Sequence, residues 1–207
     1  MQALIDTPKF LFQIEVFKRI KGVTGSIVEC GVGAGITFIG WAQLQRFTDN
    51  ANLCRRLIGF DTFKGFPSTS DKDRSEYHDP KAGDLTFDVT AKEIAELATH
   101  YMNTSYVREP PRVELVVGDI METVPKYIEA NQHTVVSLLH IDVDLYEPTM
   151  CALEHFVPLM PKGAIVLFDE LNMTRWPGET RAMFDYFGLH PRLETMACHS
   201  AAAILEI

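Results

Sequence analysis

The chain has 207 residues, of which 46% are hydrophobic and 23% charged, and this composition predicts one domain, 1–207, around a single buried core. Its formal net charge of -9 and its lack of a dense Lys/Arg cluster argue against a nucleic-acid partner. No apolar run approaches the roughly 20 residues that cross a bilayer, and the first residues lack the order of a signal peptide, so we expect no membrane partner and a cytoplasmic protein. Four cysteines without a CxxC pair predict reduced, mostly buried thiols: Cys30, Cys54, Cys151 and Cys198.

Apolar periodicity predicts alternating strands and helices along most of the chain. The predicted strands are 26–30, 56–60, 112–118, 135–141 and 164–168. The predicted helices are 10–21, 36–47, 91–102, 122–131 and 149–160. This alternation is typical of an α/β fold in which helices cover both faces of a parallel sheet.

The last 30 residues depart from that alternation. One more predicted helix, 179–188, is followed by two predicted strands, 192–198 and 200–207, with only His199 between them. So short a connection predicts an antiparallel hairpin at one edge of the sheet.

A long polar stretch at about 62–90 interrupts the regular order of elements. It bears several glycines and prolines and is longer than an ordinary connection between a strand and a helix. Loop length alone leaves a lid and a disordered segment equally open. Because the stretch follows a strand that ends in Asp61, and ligands of parallel sheets lie beyond the carboxyl ends of strands, we favour a lid-like insertion.

The strongest local pattern is IVECGVGAGITF, residues 27–38, in which a strand runs into three glycines and then into a helix. Gly31, Gly33 and Gly35 allow the backbone to turn tightly and to approach a ligand closely. Their GxGxG spacing differs from the GxGxxG of dinucleotide sites. Glu29, just before them, would repel a diphosphate but would suit a cationic ligand.

An acidic residue stands at the carboxyl end of each of the five predicted parallel strands. They are Glu29, Asp61, Asp119, Asp142 and Asp169. Because the carboxyl ends of parallel strands meet at one edge of a sheet, these acids predict a ligand rich in hydroxyls and positive charge, with a divalent metal as a further option. His140, Asp142 and Asp144 share one face if their strand stays regular. Taken alone, these residues favour a simpler interpretation, in which Asp144 caps the next helix and Asp142 is solvated in a turn.

Six motifs in order carry a resemblance to a known family. They are ECGVGAG, FDTFKGFP, GDIMETVP, HIDVDLYEPT, FDE and WPGET. Together they resemble the macrocin or deoxysugar O-methyltransferase family of class I S-adenosylmethionine-dependent methyltransferases, over nearly the whole chain. The resemblance implies a Rossmann-like sheet of seven mostly parallel strands and a Mg-dependent O-methyltransferase that acts on a sugar hydroxyl. Because family members are commonly dimers or larger, it also implies a homo-oligomer.

The resemblance implies roles for individual residues. Cofactor contacts are implied for Glu29, Gly31, Gly33, Gly35, Asp61, Thr62, Phe63, Asp119, Ile120 and Asp142. A Mg²⁺ site is implied at Asp142, Asp169 and Glu170, with Asp144 in a structural role. The family usually has Asp-Asp where this chain has Asp169-Glu170, and Asn172 is an alternative oxygen ligand, as in catechol-type metal-dependent methyltransferases.

The general base is the least constrained of these roles. Asp142 is the first candidate for taking a proton from the acceptor hydroxyl, His140 the second, and His78 on the lid the third. Trp176 either lines the acceptor pocket or packs the loop. Three other functions stay open: a catechol-type enzyme acting on a small vicinal diol, an NAD-linked oxidoreductase, and a non-catalytic cofactor-binding module.

Overall fold

Seven strands form one twisted sheet in the computed structural model, which describes residues 7–102, 112–188, 191–196 and 199–207. The strand order is β3-β2-β1-β4-β5-β7-β6. The strands are β1 Ser26–Cys30, β2 Leu57–Asp61, β3 Val113–Val117, β4 Val136–Ile141, β5 Ile165–Phe168, β6 Leu193–Met196 and β7 His199–Glu206. Strands β1 to β5 are parallel, and β7 runs antiparallel to both β5 and β6. The predicted Rossmann-like fold and its C-terminal hairpin are confirmed.

Six α-helices accompany the strands. They are α1 Thr7–Ile20, α2 Ile36–Thr48, α3 Ala91–Met102, α4 Ile120–Ala130, α5 Tyr146–Phe156 and α6 Pro177–Phe187. Helix α4 begins two residues before its predicted start because the Asp119 carboxylate caps it by accepting from Met121 N at 2.9 Å. Between β2 and α3, the only regular structure in the predicted lid is a 3₁₀ turn, Asp71–Asp73.

The strands alternate their side chains between two apolar clusters, one on each face of the sheet. In β1, Val28 packs in one cluster and Ile27 in the other. In β4, Leu139 and Leu138 divide in the same way, and every residue of both strands is buried. Burial on both faces explains why these strands read as continuous apolar runs in the sequence.

Two expectations drawn from composition can be compared with the described residues. None of the helices there is long and apolar enough to cross a membrane. Cys30 and Cys151 are buried thiols, as expected, whereas Cys54 is exposed. Cys198, with the end of the predicted strand 192–198, lies outside the described residues.

The order of the strands reverses between β1 and β4, which lie side by side in the middle of the sheet. The chain leaves β1 toward α2 on one face and leaves β4 toward α5 on the other, so the two loops diverge. Ligands of open α/β sheets bind in the crevice at such a switch point, beyond the carboxyl ends of the strands. The fold therefore places the ligand site beside Cys30 and Ile141.

Candidate active site

A cavity of about 480 Å³ lies at this switch point. Its walls come from the glycine loop after β1, from the segments that follow β2, β3, β4 and β5, from α1 and from the long loop after Asp61. A cavity of this size is in the range of small-molecule sites. The loop thus covers the cavity, as a lid would, although its predicted motion stays a prediction.

The glycine loop fits closely between β4 and the long loop. Gly31 has a φ of 89°, and a Cβ there would lie 1.8 Å from the carbonyl oxygen of Asp142. Gly33 has a φ of 51°, and a Cβ there would lie 3.1 Å from the ring of Phe87. Only glycine allows this backbone to pass so close to its neighbours, which leaves the loop's surface open to the cavity.

Asp61 lies at the end of the cavity beside the glycines and binds the surrounding backbone. Its carboxylate accepts from Gly33 N at 2.8 Å and from Phe63 N at 2.6 Å. Each carboxylate oxygen can still accept from a ligand hydroxyl, because an ionised carboxylate has about four acceptor sites. Asp61 lines the cavity, so the geometry suits the predicted binding of ribose hydroxyls.

The other predicted cofactor residues divide into two groups. Thr62, Asp119, Ile120 and Asp142 line the cavity, as do Gly31 and Gly33, whereas Gly35 does not. Phe63 does not line it, because its ring packs against the apolar cluster beneath α2 and α3.

Glu29 lies beneath the glycine loop rather than in the cavity. Its side chain is fully buried, and Oε1 accepts from Thr37 Oγ1 at 2.7 Å. Its Oε2 lies 3.2 Å from His140 Nδ1. This geometry does not support a direct contact between Glu29 and the cofactor, and instead gives Glu29 a supporting role under the first turn of α2.

Two of the three predicted metal ligands meet at the ends of β4 and β5. Among the described residues, ligand atoms of His140, Asp142 and Asp169 lie within 4.8 Å of one another. Lys9 of α1 enters the same cluster, with Nζ 2.8 Å from Asp169 Oδ2 and 3.6 Å from Asp142 Oδ2. The cluster therefore joins two carboxylates to an imidazole and an ammonium group.

Burial and the mutual interactions of the charged groups in this cluster shift their pKa values. Burial and the neighbouring Asp169 raise the pKa of Asp142 to about 7. Burial would also raise the pKa of Asp169, but His140 and Lys9 lower it below its usual range. Burial would lower the pKa of His140, but contacts with Asp169 and Glu29 raise it to about 10.

His140 is thus a poor candidate for the general base. It is 1% exposed, does not line the cavity, and keeps its proton at neutral pH. We assign it instead to balancing the buried charge of Glu29 and Asp169. The third candidate, His78, also lies away from the cavity lining.

Glu170 lines the cavity but lies outside the close group formed by Asp142 and Asp169. Its Oε2 is buried without a hydrogen-bond partner in the described residues, and burial with the nearby acids raises its pKa to about 7. The backbone N–H of Glu170 donates to Glu179 Oε1 at 2.9 Å, and Glu179 is fully buried. The alternative ligand, Asn172, is exposed and absent from the cavity lining, which disfavours the catechol-type ligand set.

The long loop replaces Asp144 as the cap of α5. Asp144 has a φ of 60°, and its side chain makes no capping bond to the helix. Instead, Asp73 of the loop accepts from Tyr146 N at 2.7 Å. Its other oxygen accepts from Ser70 N at 2.6 Å and from Ser70 Oγ at 2.8 Å. The predicted capping role of Asp144 is therefore wrong, and Asp73 fastens the loop to α5.

Aromatic rings line the cavity between the loop and α6. The Trp176 ring centroid lies 4.4 Å from that of His78 and 5.9 Å from that of Phe66, both in edge-to-face contacts. Trp176 therefore packs the loop and also lines the cavity, and its contact with an acceptor stays a prediction. Phe66 and Phe87 also line the cavity, and Phe87 lies beside Gly33 of the glycine loop.

Several residues that the structure places at the site received no role from the sequence. Thr37, Asp73 and Glu179 support the site through hydrogen bonds to Glu29, Tyr146 N and Glu170 N, respectively. Lys9 precedes the helix predicted at 10–21 but lies in the first turn of α1 in the structure, where a cation is disfavoured by the helix dipole unless it has another partner.

Comparison with known proteins gives the class of this fold and site. Residues 28–171 match the model of a methyltransferase domain family. A search of curated proteins found no match. Among solved structures, CalS11, a calicheamicin methyltransferase, is 36% identical with a TM-score of 0.87, over 97% of this chain and 79% of that one.

Two further structures are similar. The apo structure of CalS11, described there as a TDP-rhamnose 3'-O-methyltransferase, is 33% identical with a TM-score of 0.80, over 97% of this chain and 79% of that chain. The O-methyltransferase NovP is 20% identical with a TM-score of 0.73, over 96% of this chain and 79% of that chain, and supports the fold alone. The chain belongs to the deoxysugar O-methyltransferase family of class I S-adenosylmethionine-dependent methyltransferases. It is therefore an S-adenosylmethionine-dependent O-methyltransferase.

Proposed function

We propose that the enzyme methylates a hydroxyl of a sugar, in a deoxysugar, a sugar nucleotide or a glycosylated natural product, with the help of a divalent cation. The observation that carries the proposal is that one cavity has two distinct ends. Gly31, Gly33 and Asp61 line the first end (the Gly31–Asp61 end), and Asp142 and Asp169 line the second (the Asp142–Asp169 end). The 36% identity with CalS11 over nearly the whole chain supports a sugar-type acceptor.

The Gly31–Asp61 end fits S-adenosylmethionine. The glycines bring an unobstructed backbone to the cavity, and Asp61 presents acceptors for two neighbouring hydroxyls. When bound, the cofactor supplies an electrophilic methyl group on a positively charged sulfur. The acids lining this cavity suit that charge, and among the described lining residues Lys9 alone carries a positive one.

The Asp142–Asp169 end fits a hard divalent cation. Its available donors are carboxylate oxygens, which Mg²⁺ prefers, and the Glu170 Oε2 lacks a partner in the described part of the chain. Asp142, Asp169 and Glu170 would hold the cation. When bound, it supplies Lewis acidity that lowers the pKa of a neighbouring hydroxyl.

The protein's own groups then account for the remaining chemistry. Asp142 lines the cavity beside the proposed cation, so a carboxylate oxygen of Asp142 is placed to accept the proton of a bound hydroxyl. It takes the hydroxyl proton as the acceptor oxygen gains the methyl group. Phe66, Phe87 and Trp176 supply apolar contacts that exclude water and align the acceptor.

The acceptor class is tested by incubating the enzyme with S-adenosylmethionine, Mg²⁺ and a panel of acceptors: TDP-rhamnose, a deoxysugar-bearing glycoside and a catechol. We expect S-adenosylhomocysteine and a sugar methyl ether with at least one sugar acceptor. Turnover of the catechol alone would contradict the proposal and support the catechol-type alternative.

A further inference from the structure

Lys9 contacts two of the predicted metal ligands, so a bound metal ion would compete with it for their carboxylates. Its Nζ is 2.8 Å from Asp169 Oδ2 and 3.6 Å from Asp142 Oδ2. These two residues also supply the carboxylates of the cluster that can hold a metal ion. An ammonium group and a divalent cation cannot share the same oxygen lone pairs at full strength, and each repels the other.

The fold holds α1 in place, whereas the Lys9 side chain is partly exposed to solvent. Phe12, Val16 and Phe17 of α1 are 2% exposed or less, and Gln13 Nε2 donates to Thr37 O at 2.8 Å. Lys9 precedes these anchors in the first turn, lines the cavity, and has a side chain that is 24% exposed. Its flexible four-carbon stem allows the ammonium group to leave the acids without displacing the helix.

The local charge favours such an exchange. The carboxylates of Asp142, Asp169 and Glu170 line one end of the cavity, and the side chain of Asp169 is only 6% exposed. One ammonium group neutralises a single negative charge, whereas a divalent cation neutralises two. Lys9 therefore relieves the repulsion in part and leaves a cluster that still attracts a cation.

We propose that Lys9 is a built-in counter-ion of this site, which holds Asp142 and Asp169 when no metal is bound and is displaced when a divalent cation enters. This inference rests on the metal site of the proposed function. Its consequence is that Lys9 weakens the apparent affinity for metal and keeps the acids together in the metal-free enzyme.

The test measures Mn²⁺ binding directly, from the loss of the free Mn²⁺ signal in electron paramagnetic resonance, without cofactor or acceptor. Lys9→Met keeps much of the stem and removes the charge, so it should bind Mn²⁺ about tenfold or more tightly than the wild-type enzyme. Lys9→Arg keeps the charge and should stay close to the wild type. Lys18→Met is the matched control, because Lys18 lies on the same helix but pairs at the surface with Glu15, and it should change nothing.

Equal or weaker Mn²⁺ binding by Lys9→Met, or no binding by it at all, would overturn the inference. If Lys9→Met does not fold, as judged by its thermal melt, Lys9→Gln decides by the same criterion. Failure of the proposed metal is a separate result: a wild-type enzyme fully active in chelator, with tighter Mn²⁺ binding by Lys9→Met, would remove the metal from the reaction and leave the competition established.

Discussion

The acidic side chains at the two ends of the cavity have different kinds of partner. At the glycine-loop end, Asp61 and Asp119 accept from backbone N–H groups. At the β4–β5 end, Asp142 and Asp169 face each other and are held by the charges of Lys9 and His140.

This difference shows which end is complete without a ligand. Neutral donors fix the carboxylates of the first end in place, so that end is ready for a ligand that offers hydroxyls. The second end keeps an excess of negative charge, which desolvation makes costly, and therefore calls for a cation. Substitutions at the two ends should accordingly separate cofactor binding from catalysis.

The largest effect is expected for Asp142→Asn, which removes the proposed base and a negative charge at the second end. We expect kcat to fall about 10³-fold, a typical loss for a general base, with little change in affinity for S-adenosylhomocysteine. Steady-state kinetics and calorimetry measure the two quantities. A variant that keeps more than a tenth of the wild-type kcat would remove Asp142 from the proton transfer.

Asp61→Ala, at the first end, should have the opposite effect and weaken cofactor binding. Two charge-assisted hydrogen bonds to the ribose are each worth on the order of 1.5 to 3 kcal/mol, so affinity for S-adenosylhomocysteine should fall by about 100-fold or more. Asp88→Ala, an exposed acid of the same loop, is the control and should bind normally in calorimetry. Unchanged affinity in Asp61→Ala would refute its assignment to the ribose.

A smaller loss is expected for Glu170→Gln, which keeps the size and one oxygen of a proposed ligand but not its charge. We expect about tenfold weaker Mn²⁺ binding, the lower end of the usual cost of altering a metal site. Glu170→Asp restores the pair usual in the family and should retain activity. Equal Mn²⁺ affinity in the wild type and Glu170→Gln would exclude Glu170 as a ligand.

The smallest effect concerns the loop that covers both ends. Asp73→Ala removes the cap of α5, which should cost about 1 kcal/mol and lower Tm by about 2–4 °C. The amides of residues 62–89 should then exchange hydrogen faster than in the wild type. Asp71→Ala is a neighbouring control, since its side chain is 90% exposed. Identical exchange in both variants would show that Asp73 does not hold the loop.

The sequence predicts the first end of the cavity better than the second. The fold and the glycine loop follow from local patterns, because strand periodicity and glycine spacing are properties of short segments. The meeting of Asp142 and Asp169 follows from parallel strands ending at one edge. Lys9 could not be placed in this way, because it is separated from Asp169 by 160 residues and no motif surrounds it.

The capping of α5 shows a different limit. The sequence favours Asp144 as the cap because it lies just before the helix, and acids are common at that position. The structure uses Asp73 instead, from an irregular loop whose path no periodicity predicts. Likewise, the burial of Glu29 and His140 beneath the glycine loop depends on packing between strands, which a motif does not report.

The proposed reaction needs a cation at the second end, and the most direct test is the rate of methyl transfer to a sugar acceptor in excess chelator. With S-adenosylmethionine saturating, we predict that the rate falls to background and returns on addition of Mg²⁺ or Mn²⁺, while S-adenosylhomocysteine binds equally with and without chelator. A full rate in chelator would contradict the account, because Asp142, Asp169 and Glu170 would then act without a bound metal.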